Sequence, residues 1–500
     1  MTQRSPVQRA TILALVAIGV ALRLREYLAN RSLWLDESYL ALNLIERSFA
    51  GLVGTLDNGQ AAPIGFLFAE RLVITMFGSS EHALRALPLL ASICAVVVFA
   101  RLAPMVLGFT GTVFALVIFA VSEPLIYYAA EVKQYGVDAA VATIIWWTFT
   151  ALRSRLEDNQ WPAWTMAAVV GAVAMCVSHP AVFVVGGFAI YALTRAVLLR
   201  SRRAILISGA AGLVWLGTFL ALYVVSLRFV SPELQTAWRG GAIPLMPSTS
   251  RHVTQYVDLV WTLGMLALGR QVLPLVTLSA LVGIVALWKR GQPHVFWFAG
   301  TFALAWLASS IGKYPLALRL WLFLAPAVIL LVGAGIEEIW LRTRLTFRVF
   351  APLFVVLLLV YPLAIAGDSA KRPRGKEEIR PLLQHIERHY RDGDALYVYY
   401  AAQHAMRYYA MQGWRFAGPI KIGTMVVTSE NRYQIEDDVD AIRGQPHVWV
   451  LFSHVSQTDG LNDETLFLHL LDRVGVRLDS VRTTGASLYL YDLSRAPVTR

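Results

Sequence analysis

Two adjacent carboxylates, Asp36 and Glu37, stand between Trp34 and Tyr39 in the stretch RSLWLDESYL, directly after the first apolar run. A third, Glu131, lies in SEPLIYYAAEVKQYG and is followed by Lys133 and Tyr135, while two cations, Lys313 and Arg319, punctuate IGKYPLALRLWLFLAP. A carboxylate so placed can take a proton from an attacking hydroxyl. Cations can hold a phosphate while negative charge grows on it. Asp36 or Glu37 would supply the first group, and Lys313 and Arg319 the second. These residue types suit a reaction at the outer membrane surface on a lipid phosphate. A sugar linked to a polyprenyl phosphate already carries a good leaving group, and attack opposite that phosphate inverts the anomeric centre. Each residue also has a plainer reading. Asp36 suits the N-cap of the helix that follows it. Glu131 can simply pair with Lys133 on a solvated loop, and Lys313 and Arg319 can anchor a span by snorkelling. Arg85 in HALRALP is a candidate contact to a lipid phosphate, and His179 in SHP is either a site residue or an interfacial histidine.

The elements that position these residues are expected to be membrane helices. The chain has 500 residues, of which 57% are hydrophobic and 15% charged, with a mean hydropathy of +0.55. Soluble domains carry roughly 25% charged residues. The formal net charge is +11, but the arginines cluster at the ends of apolar runs, as positive-inside topology requires, so nucleic acid is not an expected partner. The two cysteines, Cys94 and Cys176, lie in apolar runs, which excludes a disulfide framework or zinc cluster. No His, Cys and carboxylate group has metal-ligand spacing. No cofactor is expected: a divalent ion between Asp36 and Glu131 is compatible with the residues, but a monophosphate leaving group does not demand one. The first apolar run starts near Ala10 without an A-x-A-like cleavage site and is expected to be retained.

Basic residues set the expected topology. Arg4 and Arg9 place the N-terminus in the cytoplasm, as do the later clusters Arg153 and Arg155; Arg195, Arg200, Arg202 and Arg203; Lys289 and Arg290; and Arg342, Arg344 and Arg348. Two apolar stretches then do not cross. One is APIGFLFAERLVITMFG, residues 62–78, where Glu70 and Arg71 at the bilayer centre would cost roughly 2.5–3.5 kcal/mol each. The other is the short run 257–268. Both are expected on the outer face as interfacial or re-entrant segments. Eleven crossings remain, near 10–26, 84–103, 105–123, 137–152, 162–178, 181–199, 204–227, 272–288, 294–310, 315–336 and 349–366. An odd number places Asp36, Glu37, Glu123, Glu131 and the tail on the outer side.

After Gly367 the composition becomes charge-rich, so residues 1–367 read as a membrane domain and 368–500 as a water-soluble one. In the tail, EEIRPLLQHIERHY, AQHAMRYYAMQ and DETLFLHLLDRV have helical spacing, while ALYVYY, HVWVLFSHV and ASLYLYDL read as strands. The expectation is a small α/β lid or acceptor-docking domain, without a phosphate loop or a Ser/His/Asp arrangement. A lipid flippase or exporter is the alternative for the whole chain, and a non-catalytic scaffold a third. Export predicts charges midway through the spans, and the later spans are nearly free of them.

The order LDES, then AAPIGFLFAERLVITMFGSSEHALRALP, then SEPLIYYAAEVKQYG resembles the lipid-linked-sugar glycosyltransferases of the GT-C fold. Glycosyltransferase family 39 and its relatives, among them protein mannosyltransferases and lipid A aminoarabinose transferases, are similar over about the whole membrane domain. The resemblance implies a multi-pass enzyme of the cytoplasmic membrane with an extracytoplasmic C-terminal domain. Its donor would be a polyprenyl-phosphate-linked sugar and its acceptor a glycan, lipid or protein hydroxyl. It also implies that Asp36, with Glu37 beside it, carries the catalytic base, and that Glu131 is the second acidic residue. The second loop of the family often reads Glu-x-Arg-x-x-Tyr; here Lys133 replaces the arginine and Tyr135 is the tyrosine, which removes a bidentate fork. A lysine or histidine usual at the start of the interfacial segment is absent from GQAAPIG, so one phosphate contact is missing or moved. Tyr39, Arg85, Lys133, Tyr135, His179, Lys313 and Arg319 complete the expected substrate-binding set.

Overall fold

The computed structural model describes residues 5–268, 272–315, 318–346, 349–425, 433–458 and 461–494. Arg4 and Arg348, two of the basic residues used for topology, lie outside them. The chain forms two compact units. One holds residues 1–29, 47–77 and 82–373; the other holds 30–46, 78–81 and 374–500.

The first unit is helical. A helix occupies each of the eleven expected segments: Pro6–Leu28, Glu81–Val106, Phe109–Val121, Tyr135–Ala151, Trp161–Val177, Ala181–Leu198, Arg202–Val225, Leu273–Lys289, His294–Ser310, Ala325–Thr346 and Phe350–Lys371. Among the described residues, six helices are long and apolar enough to cross a membrane, or seven if Phe109–Val121 and Glu123–Ala130, bent by 54°, form one span. That bend follows from Pro124, which has no N–H to offer the Ala120 carbonyl. Arg23 supplies the missing donors. Wholly buried in the helix Pro6–Leu28, it donates to the carbonyls of Phe119 at 3.1 Å, Ala120 at 3.3 Å and Gly19 at 2.9 Å, and to Ser92 Oγ at 2.8 Å. Helices cross closely where side chains vanish. A Cβ on Gly283 would overlap the Leu331 carbonyl, and one on Gly335 the Ser279 backbone.

Two expectations need correcting, and the burial of Glu70 adds to a third. The segment expected over 315–336 begins as a 3-10 turn, Leu318–Leu324, and becomes α-helical only at Ala325, where Pro326 suits a first helical turn. The short run 257–268 is the end of a longer helix, Ser250–Ala267, started by Thr249, whose side chain accepts from the His252 N–H. The stretch 62–78 is the helix Ile64–Phe77, outside the crossing candidates, yet Glu70 is fully buried on its packed face with Phe66, Leu67 and Ile74. The 3.6-residue period places position 70 with the apolar residues, and both Glu70 carboxyl oxygens lack a hydrogen-bond partner among the described residues.

The second unit carries a five-stranded sheet. Its strands are β1 (Ala395–Val398), β2 (Ile420–Ile422), β3 (Val448–Ser453), β6 (Val476–Thr483) and β7 (Ala486–Asp492), ordered β2-β1-β3-β7-β6, while β4 (Gln457–Thr458) and β5 (Leu461–Asn462) form a small hairpin. β1 runs parallel to β2 and β3, with Leu396 opposite Trp449; β7 runs antiparallel to β3 and β6. β1 and β3 are buried along their whole length, which is why they read as apolar runs. β2 and β6 were not expected: exposed edge strands of mixed polarity carry no apolar run.

Candidate active site

In the second unit the acidic pair sits in the first turn of the helix Leu35–Glu46. Asp36 is therefore not the N-cap. The open Leu35 N–H is taken at 2.9 Å by Glu377 Oε2, a buried carboxylate near the start of the C-terminal segment. The loop before this helix is tied to the same segment throughout. Arg31 donates to the Arg374 carbonyl at 2.8 Å, and Ser32 donates through N–H and Oγ to Glu378 at 3.1 and 2.8 Å. The Leu33 N–H donates to Tyr409 Oη at 3.0 Å, and Tyr409 in turn donates to Glu81, the ion-pair partner of Arg380 at 2.7 Å. At the far end of the helix Arg407 pairs with Glu46 at 2.8 Å.

Around the pair stand His404, Lys376 and His454, which the sequence reading did not single out. Glu37 is buried and Asp36 half-buried. Tyr39 meets His404 edge-on, with centroids 4.6 Å apart, and Lys376 Nζ lies 3.6 Å over the Trp34 ring. The His454 ring lies 6.3 Å from Trp34 and donates through Nδ1 to Glu377 Oε1 at 2.5 Å. That bond, with the Glu377 and Asp36 charges, raises the His454 pKa above its ordinary value against burial and Lys376. Burial and Arg407 hold His404 below the usual value. Burial raises Tyr39, as do Tyr400, Asp36 and Glu377. Asp36 thus lies within electrostatic reach of both Tyr39 and His454.

In the first unit the bent segment Glu123–Ala130 delivers Glu131 in extended conformation (φ −126°, ψ 137°), fully buried, just before the helix Tyr135–Ala151. Lys133 is buried and donates through Nζ to the side chain of Gln60, while Gln134 reaches the Ala61 carbonyl at 3.4 Å. So the segment GQAAPIG, which lacks a cation of its own, receives one from the second loop. Arg319, on the 3-10 turn Leu318–Leu324, lies 5.6 Å over the Tyr135 ring, and Tyr128 meets Tyr135 edge-on at 5.4 Å. Gly136 makes this approach possible, because a Cβ there would stand 2.5 Å from the Tyr128 carbonyl. Tyr314 holds the 3-10 turn by donating to the Leu320 carbonyl at 2.6 Å.

The structure therefore brings Tyr135 and Arg319 together and sets Lys133 against Gln60, with Glu131 nearby in the chain. Lys313 is exposed, on the turn after the helix His294–Ser310. Arg85 is buried early in the helix Glu81–Val106, in electrostatic reach of Tyr27. His179 lines a small pocket with Pro63, Ile64 and Phe219. Among the described residues no group of three His, Cys, Asp or Glu side chains could hold a metal ion.

Comparison with solved structures then decides the fold. ArnT from Cupriavidus metallidurans bound to undecaprenyl phosphate superposes with a TM-score of 0.53 at 12% identity, over 97% of each chain. The archaeal oligosaccharyltransferase AglB from Archaeoglobus fulgidus, in complex with an inhibitory peptide and a dolichol-phosphate, gives 0.54 at 11% identity, over 99% of this chain and 76% of that one. The chain has the GT-C fold. In sequence, the family described as dolichyl-phosphate-mannose-protein mannosyltransferase matches residues 61–226, a stretch of the GT-C unit with Glu131, Lys133, Tyr135 and His179 but without Asp36 or Arg319. The resemblance to GT-C enzymes of family 39 accords with both findings. No curated protein matches the chain in a sequence search.

Proposed function

We propose that the protein is a multi-pass membrane glycosyltransferase that moves a monosaccharide from a polyprenyl-phosphate donor to an acceptor hydroxyl on the outer face of the cytoplasmic membrane. The observation that carries this reading is the GT-C fold shared over 97% of both chains with a structure that holds undecaprenyl phosphate. The pairing of Arg319 with Tyr135 supports it from within the chain, since it offers a cation and a phenol to a lipid phosphate. Asp36 takes the proton of the acceptor hydroxyl as that oxygen attacks the sugar carbon. The bond from that carbon to the phosphate oxygen breaks on the opposite side, which inverts the centre, and Arg319 holds the charge left on the phosphate. Glu131 orients the donor or acceptor, with Glu37, Tyr39, Arg85, Lys133, His179 and Lys313 in supporting contacts. No cofactor is needed, because the leaving phosphate brings its own negative charge to a cationic seat. The acceptor is a glycan, lipid or protein of the cell envelope, and the C-terminal domain is extracytoplasmic.

The test is turnover. Purified protein in lipid nanodiscs is given labelled polyprenyl-phosphate sugars and a cell-envelope fraction as acceptor. Wild type is expected to release free polyprenyl phosphate with transfer of the label, and Asp36→Asn to release about 10²–10⁴-fold less. Lipid movement without release of the phosphate would support the flippase alternative, and equal turnover by Asp36→Asn would remove Asp36 from its role.

A further inference from the structure

In the C-terminal unit His454 shares a buried carboxylate, Glu377, with the start of the helix that carries the acidic pair. His454 follows β3 directly and has φ +54°, a left-handed conformation uncommon for a residue other than glycine. Such a conformation persists where the surroundings hold it in place, most often at functional sites. Beside this turn stands Glu377. One of its oxygens accepts from His454 Nδ1; the other accepts from the Leu35 N–H at 2.9 Å and from Ser453 Oγ at 3.3 Å. A single buried carboxylate therefore sets both the start of the helix that carries Asp36 and the position of the His454 ring. The charged groups facing His454 are Glu377 and Lys376 from the C-terminal segment and Asp36 from the helix Leu35–Glu46. The ring is half-exposed, so it can be reached from solvent.

We propose that His454, clamped by Glu377, is a positioning residue for Asp36: it shares that carboxylate with the Leu35 N–H and so fixes the helix turn from which Asp36 receives the acceptor proton. This rests on the transferase reading given above. In the step, the acceptor proton passes to Asp36, the bond between acceptor oxygen and sugar carbon forms, and the sugar–phosphate bond breaks with its electron pair going to phosphate. His454 keeps its proton throughout. It touches no reacting atom and acts through Glu377 and the helix turn which that carboxylate holds.

The test joins a pH profile with a direct titration of the full chain in nanodiscs. Wild-type kcat is expected to fall on the alkaline side as His454 loses its proton. His454→Gln is expected to lose roughly 10- to 100-fold in kcat at neutral pH, with the KM for the donor unchanged, and to lack that alkaline limb. Glu377→Gln should move the limb to lower pH, because the carboxylate that holds the proton is gone. A purely structural ring would lower the thermal midpoint in both variants and leave the wild-type limb in place, which would overturn the proposal. Independently, NMR titration of labelled histidines should place the His454 midpoint lower in Asp36→Asn than in wild type. An unchanged midpoint overturns the coupling whether or not transfer is detected. Failure of wild type to transfer any sugar, with the midpoint shifted as expected, would count against the transferase reading alone.

Discussion

At the scale of single residues the proposal assigns different losses to different side chains. Asp36→Asn keeps the shape and removes the base, so turnover should drop by about 10²–10⁴-fold with protein still folded. Arg319→Ala removes the cation stacked on Tyr135; a lost charge-assisted bond of roughly 1.5–3 kcal/mol predicts a rise of about 10- to 150-fold in the KM for the donor, read in the same labelled assay. An Arg319→Ala enzyme with unchanged donor KM would place the phosphate elsewhere. The Glu377–His454 bond has a pH signature of its own. Its histidine pKa is raised, so the stabilisation is fully present below the unfolded value of about 6.5 and is lost as pH rises through the higher folded value. The gap in thermal midpoint between wild type and Glu377→Gln should therefore narrow from mildly acid to alkaline pH; a gap that stays constant would argue against the protonated ring. Asp36, Glu131 and Arg319 were legible as chemistry because a charge in an apolar chain stands out. His454 and Glu377 were not, because each lies in a tail full of charged residues, and only the backbone turn at His454 and the open N–H at Leu35 single them out.

At the scale of elements the helices follow from composition, while their ends and bends follow from particular residues. Pro124 removes a donor and Arg23 replaces it from another helix. Arg23→Met should leave the Phe119 and Ala120 carbonyls unsatisfied, at about 1–3 kcal/mol for each orphaned group, and lower the thermal midpoint; an unchanged midpoint would mean that the bend satisfies itself. Gly335→Val should be at least as damaging, since its side chain has to enter the Ser279 backbone. The apolar runs located all eleven helical segments, yet they misplaced starts at Ser250 and Ala325. The actual starts are set by a Thr249 cap and a proline, which hydropathy does not weigh. The burial of Glu70 was also hidden, because periodicity assigns a face but composition alone argues that a carboxylate avoids it.

At the scale of the whole molecule, the expected boundary after Gly367 described the chain as two consecutive domains. In the structure the C-terminal unit also takes in residues 30–46 and 78–81. Truncation after Pro373 should accordingly expose the loop 30–35 and the helix Leu35–Glu46 to limited proteolysis, since Glu377, Glu378 and Tyr409 hold them; continued protection would show that other contacts suffice. Topology is testable in intact cells with a single introduced cysteine. At Arg391 it should react with a membrane-impermeant maleimide from outside, and at Lys289 only after lysis; the reverse pattern would invert the assignment. The sequence by itself determined that the chain is a helical membrane protein with an α/β tail, and pointed to the residues with chemistry to offer, because low charge, apolar run length and basic flanks are local properties. Only the tertiary structure decided that the acidic pair belongs to the tail's unit, that Lys133 reaches Gln60, and that Arg319 seats on Tyr135. Those pairings join residues far apart in the chain, and neither run length nor charge count records which distant side chain fills an open N–H or covers a ring.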